Sequence, residues 1–235
     1  MQDFTDAFRL AFALLARLDA DMVEIVVLSL QVTLSAVVLA CAIGFPAGAA
    51  LAVVKFPGRG AVIVILNTMM SLPPVVIGLL VYMLVSNAGP LGFLELLYTP
   101  GAMILAQTIL VTPLVAALGR QVLADFHDEY DETFRSMTVP WQTQVAVLLW
   151  DARYSLLTVA LAGFGRAVAE VGAVIIVGGN IAHVTRVMTT AIALETSRGD
   201  LALALALGIV LLVVAVTINA GVMALRASAQ RLAYV

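Results

Sequence analysis

The stretch GFGRAVAEVGAVIIVGGN, residues 163–180, decides how this chain is counted. By its apolar residues it is the core of a helix long enough to cross a membrane. Yet it carries Arg166 and Glu170, four residues apart, the only charges in residues 154–179. The rest of the chain says which reading governs. Of 235 residues, 63% are hydrophobic and 11% are charged, whereas a soluble domain has about half and about a quarter. Residues 25–54, 60–94, 96–119 and 201–225 contain no Asp, Glu, Lys or Arg. Each run exceeds the roughly 20 residues that cross about 30 Å of hydrocarbon. The quoted stretch therefore belongs to a fourth span out of five, and the fold class is an all-α integral membrane protein.

Composition also excludes several roles. A net charge of -3 without any basic cluster offers nothing to a nucleic acid. Cys41 is the only cysteine and lies inside the first span, so there is no disulfide framework. The start, MQDFTDAFRLAFALLARLDAD, has Asp3 and Asp6 where a signal peptide has positive charge. Phe4, Phe8, Phe12, Leu15 and Leu18 recur at helical spacing. Residues 1–22 thus read as an amphipathic helix, either lying in the interface or packed on the bundle. Residues 23–235 form the transmembrane domain. Lys55, Arg59, Arg120, Arg135, Arg153, Arg226 and Arg231 fall on one side of the membrane, against Arg9, Arg17, Arg186 and Arg198 on the other. That bias puts the N-terminus outside and the C-terminus in the cytoplasm.

Glycine and proline punctuate the spans. Gly44 and Gly48 sit four apart in span one, a spacing that permits close helix approach but also arises by chance in an Ala-rich helix. Span two carries SLPPVVIG in mid-membrane. Pro73 and Pro74 each lack an N–H, so they mark either a break that lines a cavity or a kink healed by neighbouring helices. At Thr112-Pro113 the threonine hydroxyl is placed to satisfy a freed carbonyl. Residues 125–153, DFHDEYDETFRSMTVPWQTQVAVLLWDAR, form the longest polar segment. Its acidic first part and apolar second part, with Pro140 suited to a helix's first turn, read as helix, break, helix: a docking surface on the cytoplasmic face.

Catalytic signatures are missing. There is no GxxxxGK[ST] phosphate loop, GxSxG or HExxH. His127 and His183 fall on opposite sides of the membrane, and neither has a Cys or His partner at ligand spacing, so no metal site is expected. A transport subunit, a receptor or a scaffold is left, with no enzyme and no cofactor in this chain.

Several blocks now carry a resemblance. The KFPGR turn, NTMMSLPPVVIGLLVYMLVSNAGPLG (residues 67–92), LLYTPGAMILAQTIL (96–110), AGFGRAVAEVGAVIIVGGN (162–180), TRVMTTAIALETSRGD (185–200) and LALALGI (203–209) resemble the permease subunits of ABC importers. Within that family they look most like the tungstate-type members of the molybdate/tungstate group, from about residue 28 to residue 219. The resemblance implies a type I importer: a homodimer in the bacterial or archaeal inner membrane, two separate ATPase subunits, and an extracytoplasmic binding protein that delivers an oxyanion. The rivals are a molybdate or sulfate permease and, outside the class, a non-transporting scaffold. The family's cytoplasmic pattern, E-A-A-x3-G-x9-I-x-L-P, is kept here only at Glu132. Thr133 and Phe134 replace the alanines, Thr138 the glycine, Leu148 the isoleucine, Trp150 the leucine and Asp151 the proline. By this register Glu132, Thr133, Phe134, Thr138, Trp141 and Leu148 are the candidates for coupling to the ATPase.

Pro73, Pro74, Arg166 and Glu170 are the pathway or gate candidates. On one continuous helix Arg166 and Glu170 would share a face, and an arginine at mid-span costs about 2.5–3.5 kcal/mol unless it faces protein or water. Two readings stay open. Either Arg166 presents charge to a passing dianion, or the pair holds span four against its neighbours. Arg before Glu is the weaker order on a helix.

Overall fold

The computed structural model describes residues 8–11, 13 and 20–233, with side chains through Ala224. Among these residues every regular element is helical. In chain order they are α1 (Ala20–Val53), α2 (Arg59–Met69), α3 (Pro74–Val85), a 3-10 turn (Gly92–Leu94), α4 (Pro100–Ser136), α5 (Trp141–Asp151), α6 (Arg153–Val168), α7 (Gly172–Gly178), α8 (Met188–Arg198) and α9 (Leu201–Ala233). Among the described residues three helices, Ala20–Val53, Pro100–Ser136 and Leu201–Ala224, are long and apolar enough to cross a membrane unbroken, and the number reaches up to five if each bent pair, α2 with α3 and α5 with α6, is one span.

The breaks have local causes. Span two stops at Met69 and restarts at Pro74, so the prolines divide the helix rather than kink it. Pro74 occupies the first position of α3, where its missing N–H costs nothing. Pro113, by contrast, lies inside an unbroken α4. The carbonyl it frees, four residues back, is that of Ile109. Thr112 Oγ1 donates instead to Thr108 O at 2.7 Å, so the hydroxyl reinforces the neighbouring position rather than repairing the gap. The expected fourth span is also divided: α6 ends at Val168 and α7 starts at Gly172.

The chain forms two compact units. One comprises Met1–Ser35, Pro74–Gln107 and Val168–Ile218. Here α3 packs on α7, and a Cβ added to Gly78 would stand 2.7 Å from Ala173 Cα. Only a glycine lets the two backbones come this close. Tyr98 N donates to Val177 O at 3.0 Å, fastening the outer loop to α7. Ser29 is buried yet satisfied: its hydroxyl donates to Ile25 O at 2.6 Å and accepts from Met188 N at 2.7 Å, tying α1 to the start of α8. The amphipathic reading of residues 1–22 falls mostly outside the described residues. Residues 8–11 are helical, and Ala11 is buried with Met22, Met188 and Leu207.

The other unit comprises Ala36–Pro73, Thr108–Ala167 and Asn219–Val235. Its α1–α4 contact answers the question about Gly44 and Gly48. A Cβ at Gly44 would lie 3.0 Å from Val115 Cγ1, and one at Gly48 would lie 2.7 Å from Ala116 O. The pair is a true helix–helix contact. The KFPGR turn is closed by Gly58 at φ 88° and by Arg59, whose Nε donates to Leu51 O at 2.7 Å and so caps the last carbonyls of α1.

Candidate functional site

The coupling candidates lie on a helical hairpin in the second unit. Its first arm is the polar continuation of α4, which runs unbroken from the third span to Ser136. Its second arm is α5. The two are joined by residues 137–140, with Pro140 at the N-cap of α5 in extended conformation, one place ahead of the first turn. Val139 N donates to Phe134 O at 3.0 Å, and Gln144 Nε2 donates to Val139 O at 2.8 Å, so the corner is hydrogen-bonded on both sides.

The structure divides the six candidates into two groups. Phe134 and Leu148 are buried, in one core with Ala49, Val53, Leu123 and Leu156. Phe134 also stacks on Tyr130 with ring centres 5.7 Å apart. Burying a side chain such as Leu148 contributes about 1.5–3 kcal/mol, so these two hold the hairpin on the membrane helices. Glu132, Thr133, Thr138 and Trp141 are exposed. Met137, 69% exposed, and Trp150, 68% exposed, are further apolar side chains left uncovered on the hairpin; Met137 falls at a spacer position of the ABC pattern and Trp150 at its leucine position. Thr138 sits at φ 50°, the left-handed region that a β-branched residue adopts at a cost. This is where the ABC pattern has glycine, and the corner geometry supplies the reason.

The pathway candidates sit at the two helix breaks. Pro73 is exposed and Pro74 half-buried. Arg166 lies in the last turn of α6. Glu170 lies two residues past that helix, buried, and its Oε1 accepts from Ala173 N at 3.1 Å in the first turn of α7. Its carbonyl accepts from Thr189 Oγ1 at 2.9 Å. The expectation that both charges share one helix face is therefore corrected, because no continuous helix joins them. Each instead complements a helix terminus: a cation near the negative end of α6 and an anion at the positive end of α7. Arg before Glu is a weak order along one helix and the favourable order across a helix break.

Residues far apart in sequence also meet on the first unit. Asp21, Glu24 and His183 bring their oxygen and nitrogen atoms within 4.8 Å of one another. His183 Nδ1 lies 2.8 Å from Glu24 Oε2, and both side chains are exposed. Glu24, aided by Asp21, raises the imidazole above its ordinary value, with Arg186 opposing. Spacing of Cys and His in the sequence does not reveal this cluster, since its other members are carboxylates at the start of α1.

Three to five candidate membrane spans and an exposed helical hairpin make this an all-α membrane protein with a surface free to meet a partner. No family model matches the chain. The tungstate uptake system permease protein of Peptoclostridium acidaminophilum is 37% identical over 96% of this chain and 99% of its own length. A probable anion ABC transporter permease protein of Haloferax volcanii is 40% identical over 85% of this chain and 88% of its own. The tungstate uptake permease protein of Campylobacter jejuni is 37% identical over 91% and 90%. Sulfate and molybdenum transport permeases match at lower identity over less of the chain. The chain belongs to the ABC importer permease family, in its tungstate-uptake branch, and is a multi-pass transmembrane permease subunit of an oxyanion importer.

Proposed function

We propose that this chain forms the translocation pathway of a tungstate importer. The observation that carries the reading is full-length similarity to permeases named for tungstate uptake, including one aligned over 99% of its length. In this reading two copies pair around a pathway in the inner membrane, with N-termini outside and C-termini in the cytoplasm. A separate ATPase docks on each α4–α5 hairpin, and an extracytoplasmic binding protein presents the anion. ATP binding draws the ATPases together, the hairpins move with them, and the pathway opens outward.

The exposed edge of the hairpin, with Glu132, Thr133, Thr138 and Trp141, suits contact with the ATPase. Phe134 and Leu148 are the rigid link that passes the movement to α1 and α6. Pro73, Pro74, Arg166 and Glu170 are assigned to the breaks in the spans that shape the pathway or gate. Glu170 acts there chiefly as the cap of α7, a reading supported by its contact with Ala173 N.

The test is reconstitution of the chain with its ATPase and binding protein in liposomes. Micromolar tungstate should stimulate ATP hydrolysis and accumulate inside, with molybdate weaker and sulfate inert. Stimulation by sulfate with none by tungstate would reject the substrate assignment. Correct assembly without stimulation by any oxyanion would favour the scaffold.

A further inference from the structure

We infer that the corner where α5 meets α6 is a binding site for one anionic phospholipid. A cavity of about 360 Å³ opens there, within the size range of small-molecule sites. Phe45 and Pro46 on α1, Leu149 on α5, and Leu156 and Ala160 on α6 contribute to a lining that is apolar at every position but one. The exception is Arg153.

Arg153 is held in place. Its guanidinium carbon lies 4.6 Å from the centre of the Trp150 ring and 4.6 Å from that of Tyr154. Its Nη1 donates to Trp150 O at 2.6 Å. A cation clasped by two aromatic rings keeps its charge while losing its freedom. The guanidinium fork matches the oxygens of a phosphate, and Trp and Tyr are the residues found where a span meets the headgroups. The corner also has the right shape. α5 and α6 meet at 76°, so one helix runs across the end of the other. Phe45 and Pro46 belong to the charge-free run of residues 25–54.

An apolar slot ending in a fixed cation complements an acyl chain ending in a phosphate. A soluble anion would use the arginine and leave the slot empty. A zwitterionic lipid would bring a second cation against Arg153. One basic residue near a membrane surface is worth about 1 kcal/mol toward anionic lipid, which is a preference of about fivefold.

The experiment uses the full chain in lipid nanodiscs. Trp141 and Trp150 are the only tryptophans, so Trp141→Phe leaves Trp150 as the sole reporter at the mouth. Phosphatidylglycerol or phosphatidylcholine with brominated acyl chains is titrated in, and quenching is followed. Half-quenching should come at about fivefold lower mole fraction of the phosphatidylglycerol. Arg153→Gln should merge the two curves. Ala160→Phe, which fills the slot and keeps the arginine, should also abolish the preference. Equal quenching by both lipids in the single-tryptophan parent overturns the proposal, as does a preference that survives both variants. A preference that vanishes when nanodiscs are loaded with two chains instead of one assigns the slot to a second copy and overturns it too.

Discussion

Thr138 illustrates how a single residue departs from its family pattern at a measurable cost. The turn between α4 and α5 needs a left-handed residue, and here a threonine fills the place at φ 50°. Thr138→Gly should stabilise the chain by about 0.5–1 kcal/mol, the relief of strain less the entropy glycine loses on folding. Thermal unfolding in detergent measures this, with Thr138→Ala gaining less because alanine keeps a Cβ. His183 offers a second residue-scale prediction. Its folded pKa is raised by Glu24 and Asp21, so its ion pair stabilises the fold fully below the unfolded value of about 6.5. That contribution is lost as the pH rises through the raised folded value. The difference in Tm between the parent and His183→Gln should therefore be largest below about pH 6.5 and shrink as the pH rises above it. A constant gap across that window would assign the effect to packing.

At the scale of helices, close backbone approach sets the energetics. The Cβ of Gly48→Ala would stand 2.7 Å from Ala116 O and 2.9 Å from Arg120 N, both backbone atoms, so α1 and α4 must separate. A loss of about 1–3 kcal/mol is expected. Gly208 on α9 has open space around its would-be Cβ, and Gly208→Ala should be neutral or stabilising by up to about 1 kcal/mol. Glu170 and Arg166 belong at this scale as well, since Glu170 caps α7 and Arg166 lies in the last turn of α6. Glu170→Gln keeps an acceptor for Ala173 N and should preserve assembly, whereas Glu170→Ala leaves that N–H unsatisfied at a cost of about 1–2 kcal/mol. Exchanging the charges, with Arg166→Glu and Glu170→Arg together, puts each at the wrong helix pole. It should impair assembly, as read by gel filtration of the detergent-solubilised chain. Recovery of assembly by the exchange would instead mean the two charges serve mainly each other.

Across the whole molecule, the hairpin separates stability from coupling. Leu148→Ala removes a fully buried side chain and should cost about 2–5 kcal/mol, lowering Tm and uptake together. Trp141 is half exposed, so Trp141→Ala should leave Tm nearly unchanged and lower tungstate-stimulated ATP hydrolysis in the reconstituted complex. If Trp141→Ala lowered Tm as Leu148→Ala does, the division of the hairpin into a packed side and a contact side would be wrong.

The sequence alone determined the class, because charge-free runs report a solvent and not a contact. It located the proline disturbance in span two, though not whether it was a break or a kink, and the helix–break–helix of residues 125–153, since Pro73, Pro74 and Pro140 act through backbone chemistry confined to their own turn. It also carried the family through blocks spread over most of the chain. It did not reveal that span four is broken, because residues 169–171, Ala-Glu-Val, contain no proline or glycine, and a cap is defined by a hydrogen bond to the next helix. Nor did it separate Phe134 and Leu148 from Trp141, since all are apolar and only packing against α1 and α6 buries the first two. The meeting of His183 with Glu24, 159 residues away, and the clasp of Arg153 beside an apolar slot were likewise decided by tertiary structure. Periodicity and composition describe each segment's own environment, whereas a site depends on which segments the fold brings together.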